Sequence, residues 1–154
     1  MVLIDSDVFV KNFFGNDPNY GANRVFLQKL GNIPACTTIF NFFEVLGKIT
    51  DNLPRKEFQR YCLQFDDIFH VTVIYPRNKG ITVEKYFDYL KEKLLEKMSQ
   101  KMPFGDALIL TTAEEYSVAV LITWNKKHFV SRTNIEVLTP EEFLQKDGFR
   151  QRLT

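Results

Sequence analysis

The sequence predicts a three-layer α/β sandwich with a mainly parallel, five-stranded sheet, and three observations point to it. Short apolar, strand-like runs alternate with helical stretches along the chain. The first run, Val2-Leu3-Ile4, and the most hydrophobic one, Val118 to Thr123, are apolar without alternation, as strands buried on both faces of a parallel sheet are. Acidic or hydroxyl residues stand where the chain turns from strand to helix, at Asp5, Thr37-Thr38 and Thr139. With no internal repeat, low-complexity tract or linker, residues 1–154 are read as one domain.

Taken in order, Asp5-Ser6-Asp7 closes the first strand and opens a short helix over 8–14, which Gly15-Asn16-Asp17-Pro18-Asn19 ends. Val25, Phe26 and Leu30 fall at helical spacing in a helix from Tyr20 to Leu30, with Gly31 as its stop. Pro34 to Thr37 makes the second strand, and Thr37 or Thr38 caps a helix over 39–50. Its apolar arc is read as Ile39, Phe42, Phe43, Leu46 and Ile49, with Glu44 outside the arc. Pro54 starts a helix to about Phe65, and His70 to Tyr75, β-branched and alternating, is the third strand, ended by Pro76-Arg77-Asn78. Residues 81–98 form an amphipathic surface helix on Val83, Phe87, Leu90, Leu94 and Met98. A loop from Ser99 to Gly105 leads to a helix from Asp106 to about Tyr116, then to the strand of 118–123 and a short helix over 126–130. Ile135 to Leu138 is the last strand, and Thr139-Pro140 starts the last helix with a cap and a proline at its first position.

Composition narrows the function classes. Lys and Arg number 20 against 19 Asp and Glu, so no global field draws the protein to nucleic acid or to a membrane surface. Fifteen Phe and 45% hydrophobic residues indicate an aromatic-rich core rather than disorder. Cys36 and Cys62 lack metal-ligand spacing and are read as free thiols of a reducing compartment. No apolar run approaches ~20 residues, and no leader pattern precedes the first strand, so a cytoplasmic protein with no membrane span is expected.

The chemistry-bearing residues are acidic. In open parallel sheets, ligands collect beyond the carboxyl ends of the strands, and the helices that follow begin on that same edge. Asp5, Asp7, Asp106 and Asn125 therefore share one rim, with Glu44 within reach from the helix after strand two. Carboxylates converging there repel one another by several kcal/mol in a partly dry cleft, and a divalent cation resolves the conflict. An all-oxygen set without paired His or Cys suits Mg²⁺ or Mn²⁺ rather than zinc. Singly, each acid has an ordinary structural use: Asp5 and Asp106 as helix-start residues, Asp7 as a solvated first-turn acid, Glu44 as a surface residue, Asn125 as a turn or cap. The set carries the information.

In this order and spacing the residues resemble the PIN-domain ribonucleases, and among them the VapC toxins of prokaryotic toxin–antitoxin pairs. The resemblance rests on Asp5-Ser6-Asp7 after the first strand, Glu44 in the helix after the second, and Gly105-Asp106-Ala107 at a helix start before the fourth. Thr123-Trp124-Asn125 with Phe129, and Thr139 to Phe143, complete it. The resemblance implies a PIN-like fold, with Asp5, Glu44 and Asp106 as metal ligands, Asp7 supporting them, and Ser6 and Thr123 as hydroxyls behind them. Asn125 stands at the family's fourth acidic position. It supplies an amide without charge, which puts a tightly held second metal in doubt. The implied activity is Mg²⁺- or Mn²⁺-dependent hydrolysis of RNA. The implied partners are an antitoxin whose carboxyl-terminal segment covers the acidic rim, and a second copy of the chain in a homodimer.

On this reading Lys126, Lys127 and His128, beside the rim, contact RNA phosphates, and Trp124 either stacks an unpaired base or packs in the core. Two other readings start from the same residues. An apolar strand followed by Asp-x-Asp is also similar to haloacid-dehalogenase-type phosphatases, but those want another Asp four residues beyond Gly105-Asp106, where this chain has Leu110. A PIN-like domain that only binds RNA or protein is favoured by Asn125 and opposed by the retained Asp5, Glu44 and Asp106.

Overall fold

A computed structural model describes residues 1–77 and 80–146. Asn78, expected in the turn after the third strand, and the last eight residues of the predicted domain lie outside the described residues. The strands are β1 (Val2–Ile4), β2 (Ala35–Thr38), β3 (Thr72–Ile74), β4 (Val120–Ile122) and β5 (Glu136–Leu138). They form one five-stranded sheet in the order β3-β2-β1-β4-β5, with every neighbouring pair parallel. β1 is central, paired through Leu3 to Cys36 on one side and to Leu121 on the other.

The helices are α1 (Ser6–Val10), α2 (Tyr20–Leu27), α3 (Ile39–Ile49), α4 (Arg55–Phe69), α5 (Val83–Ser99), α6 (Phe104–Glu115) and α7 (Pro140–Gln145). Because side chains alternate along a strand, Leu3 and Ile4 enter different cores. Ile4 meets Val8 and Phe9 of α1, Phe26 of α2, Val45 and Ile49 of α3, and Phe65 and Phe69 of α4. Leu3 meets Ile109, Leu110 and Ala113 of α6 together with Leu121 and Phe129. Phe9 is the hinge pin of the first core, edge-on to Phe65 at 5.1 Å and to Phe69 at 4.9 Å between ring centres. Each such fully buried ring contributes about 1.5–3 kcal/mol by burial, and the edge-to-face pairs add about 0.5–1.5 kcal/mol.

The helix boundaries depart from expectation where tertiary contacts decide them. α2 stops at Leu27, and a separate 3₁₀ turn, Leu30–Asn32, places Leu30 in the core, so Gly31 lies within that turn. α4 runs on to Phe69 because Phe65 and Phe69, one turn apart, both pack on Phe9. It bends at Gln64 (φ −131°, ψ 23°), and His70 (φ 53°) closes it in the left-handed conformation instead of opening β3. Along α3 the buried line is Asn41, Val45 and Ile49, and Phe43 points to solvent. α5 is the surface helix expected, yet Val83, Phe87 and Met98 of its apolar stripe are exposed. Its one buried residue is Lys97, paired at 2.7 Å with Glu114 of α6.

Candidate active site

The strand order reverses its direction of travel between β1 and β4, which makes the crevice beyond their carboxyl ends the topological switch point. The backbone stitches the two ends together there. Asp5 N donates to Ile122 O and Thr123 N donates to Leu138 O, each at 3.0 Å. A cleft of about 810 Å³ opens on this edge, and Asp5, Asp7, Glu44, Asp106, Asn125 and His128 all line it.

Asp5 leaves β1 in extended conformation and caps α1, its Oδ1 accepting from Ser6 N at 2.7 Å. The same oxygen accepts from Asn41 Nδ2 at 2.9 Å, and Oδ2 accepts from Thr123 Oγ1 at 2.7 Å. Asp7 stands beside it on the first turn of α1. Its Oδ2 accepts from Trp124 N at 3.0 Å and lies 3.2 Å from Thr123 Oγ1, while its buried Oδ1 has no hydrogen-bond partner. Thr123 Oγ1 in turn accepts from Asn125 N at 3.0 Å. Thr123 thus ties both carboxylates to the turn that carries Asn125.

Glu44 comes from α3, two turns past the Thr38 cap. Its carboxylate accepts from Ser6 Oγ at 2.7 Å, and Lys48 lies 3.9 Å away on the next turn. Asp106 sits in the first turn of α6, where the unpaired N–H groups favour an acid. Its Oδ2 is buried and lies 2.9 Å from His128 Nδ1, a close charge contact without the alignment of a hydrogen bond.

The electrostatics follow from crowding acids in a half-dry space. Burial, opposed by the hydrogen bonds from Thr123 and Ser6 and reinforced by Asp106 and Glu44, raises the Asp5 carboxyl to about 6. Burial and the neighbouring Asp5 charge raise Asp7 to about 8 against the pull of Thr123, Trp124 and Lys11. Asp106 is raised as well, by burial first, with His128 pulling it back. A cation among these groups would reverse the direction of all three. Among the described residues no three His, Cys, Asp or Glu side chains form a ready-made metal cage. The donor set still fits a hard divalent ion in kind. It is built from carboxylate oxygens, and one of them, Asp7 Oδ1, is buried without a hydrogen-bond partner.

The cleft therefore gathers Asp5, Ser6, Asp7, Glu44, Asp106, Asn125 and His128, all named from the sequence, with Thr123 directly behind. The other two basic residues stand apart. Lys126 is paired with Glu142 of α7 at 2.6 Å, and Lys127 is exposed outside the cleft lining. Trp124 packs against the first core while its indole N–H donates to Asn23 Oδ1 at 2.8 Å. Lys11 and Lys48 were not singled out from the sequence, and both line the cleft. Asn41 was also missed. Its signal was an amide three residues after a capping Thr and three before Glu44, on a face otherwise apolar.

No protein-family model and no curated protein sequence matches the chain. Solved structures do. A toxin–antitoxin complex from Klebsiella pneumoniae superposes with a TM-score of 0.62 at 20% identity, over 91% of this chain and 98% of that one. VapBC2 of Rickettsia felis, solved on a DNA fragment from its promoter, gives 0.63 at 17% identity over 90% and 98%. Mycobacterium tuberculosis VapC20, a toxin that cleaves the sarcin–ricin loop, gives 0.56 at 11% identity over 79% and 87%. The chain has the PIN-domain fold of these toxins. Within the PIN fold the acidic cleft lies at the sheet edge where the sequence pattern placed it.

Proposed function

We propose that this chain is a metal-dependent ribonuclease that hydrolyses RNA phosphodiester bonds, and that it serves as the toxin of a VapBC-type toxin–antitoxin pair in the cytoplasm. The observation that carries the reading is the meeting of Asp5, Asp7, Glu44 and Asp106 in one cleft at the switch point, with Asp7 Oδ1 buried and without a hydrogen-bond partner. Kinship of fold with VapBC structures supports the toxin role.

Asp5, Glu44 and Asp106 would hold Mg²⁺ or Mn²⁺, which supplies Lewis acidity for activating the attacking water and offsetting charge on the phosphorane-like transition state. The chain's own residues do the rest. Ser6 N, Asn41 and Thr123 fix Asp5 in one orientation, and Ser6 Oγ does the same for Glu44. Asp7, with Oδ1 unpartnered beside Asp5, is placed to take up the proton that the attacking water releases once a cation among the acids favours its ionised form. Asn125, at the mouth of the cleft, orients without adding charge. His128 steadies Asp106 and, with Lys127 nearby, meets the RNA phosphates, while Lys126 is the weakest contributor because Glu142 holds it. The antitoxin would cover the acidic rim, and the toxin would pair as a homodimer.

The test is cleavage of end-labelled single-stranded RNA of mixed sequence in Mg²⁺, Mn²⁺ or EDTA, by the wild type and by Asp5→Asn and Asp106→Asn. Metal-dependent cutting lost in both variants is expected. Absence of cutting by folded, antitoxin-free wild type, or cutting that survives both substitutions, overturns the mechanism and favours a PIN-like domain that only binds, as Asn125 alone would suggest.

A further inference from the structure

We infer that Asn41 is a positioning residue for the acidic cleft, the part that fixes Asp5 and joins it to the helix carrying Glu44. The inference rests on the metal-site reading above. Asn41 is fully buried, with Thr38 fully buried and Asp5 nearly so beside it. A buried amide at such a place must satisfy both of its ends. Its Oδ1 accepts from Thr38 Oγ1 at 2.7 Å and from Thr38 N at 3.3 Å, while Asn41 N donates back to Thr38 Oγ1 at 3.1 Å. The Thr38 backbone N–H can only donate, so the oxygen end of the amide is assigned to Thr38. The NH₂ end is then forced toward Asp5 Oδ1, at 2.9 Å.

Two consequences follow from that orientation. Asp5 Oδ1 is committed to Ser6 N and Asn41 Nδ2, with the Ser6 hydroxyl a longer third donor at 3.4 Å, so its carboxylate has one rotational setting. Glu44 lies three residues beyond Asn41 on α3, so the amide also fixes how that helix stands against β1. The capping box alone would be served by any acceptor at this position. The donor toward Asp5 is what an amide adds.

Two substitutions separate the functions. Asn41→Leu keeps the branched shape, with somewhat more bulk, and removes both ends of the amide. Asn41→Asp keeps the oxygen used by Thr38 and replaces the donor facing Asp5 with an acceptor. Thr82→Ala, which removes the side-chain cap of α5 far from the cleft, controls for the loss of a cap. Mn²⁺ affinity is read without RNA, by titration calorimetry or by the free-Mn²⁺ resonance signal. Loss of a residue that orients a ligand costs about 10–100-fold in metal affinity or activity. Asn41→Leu is expected to weaken Mn²⁺ binding by that factor while Thr82→Ala leaves it unchanged. For Asn41→Asp, kcat at saturating Mn²⁺ is expected to fall about 10–100-fold with the KM for RNA held. Mn²⁺ affinity of Asn41→Leu within twofold of wild type, or, should that variant not fold, an unchanged kcat in Asn41→Asp, overturns the inference and leaves the metal site standing. A wild type that binds no Mn²⁺ overturns both together.

Discussion

The two walls of the cleft are built on different principles. On one, Asp5 and Asp7 are anchored by short hydrogen bonds from Ser6, Asn41, Thr123 and Trp124, drawn from α1, α3 and the turn after β4. On the other, Asp106 is only partly buried, and its near neighbour is His128 at 2.9 Å. The first wall fixes geometry; the second adjusts charge. Substitutions on the anchored wall should therefore damage the site through position, while those on the other should act through the field and soften in salt.

The contrast is sharpest at its ends. Asp5→Asn should reduce RNA cleavage by about 10³-fold, the effect of withdrawing about 4 kcal/mol of charge stabilisation at the reacting centre. Single-turnover cleavage with Mn²⁺ measures it. Thr123→Val comes next, because one hydroxyl serves Asp5, Asp7 and the Asn125 amide. Its loss should cost about 1–3 kcal/mol in urea unfolding and about 10–100-fold in rate. His128→Gln should lower the rate by no more than about tenfold with little change in stability, since a partly exposed charge contact is worth about 1 kcal/mol. Raising the salt should shrink that difference. If His128→Gln proves as damaging as Thr123→Val, the distinction between the walls fails.

A fourth measurement sets the anchored wall against pH. In the metal-free protein Asp5 and Asp7 titrate near 6 and 8, against an ordinary value of 3.8. Between about pH 4 and 8 the native state keeps protons that the unfolded chain has released, so metal-free stability should fall as the pH rises through that window. Added Mn²⁺ should flatten the slope, as melting temperatures across that range in EDTA and in Mn²⁺ will show. The smallest effect is expected of Lys126→Ala. Its pair with Glu142 is exposed, so the cost should stay within about 1 kcal/mol, and RNA affinity should hardly move.

How much of this could be read from the sequence depended on whether a residue's role was local. Val2-Leu3-Ile4 and the run before Thr123 were legible as central strands because apolar continuity is itself the signature of two-sided burial. Asp5 and Asp106 were legible because their positions after a strand and at a helix start fix which edge they occupy, whereas Glu44, well inside α3, stood out only through the resemblance to the PIN-domain ribonucleases. Phe43 and Val45 were not separable, since residues 39, 40, 42, 43, 45, 46 and 49 are all apolar and the stripe is wider than the face that α3 buries. The end of α4 was set by Phe9, a residue of another element, and no propensity along α4 carries that information. Asn23 and Asn41 escaped notice because a buried amide has no periodicity; only its partners explain it. The pairing of Lys126 with Glu142, sixteen residues on, was not legible because only the fold brings the two together.

The hydrogen bonds from Thr123 and Trp124 to the two amino-terminal acids close loops of 116 to 118 residues. Contacts of such span form late, after the entropy of a long loop has been spent. A chain leaving the ribosome amino terminus first presents Asp5, Asp7 and Glu44 well before α6, β4 and the turn after it exist to complete the cleft. The acidic cleft thus comes together only when synthesis is well advanced, and a partly made copy holds three of its acids without the wall that faces them.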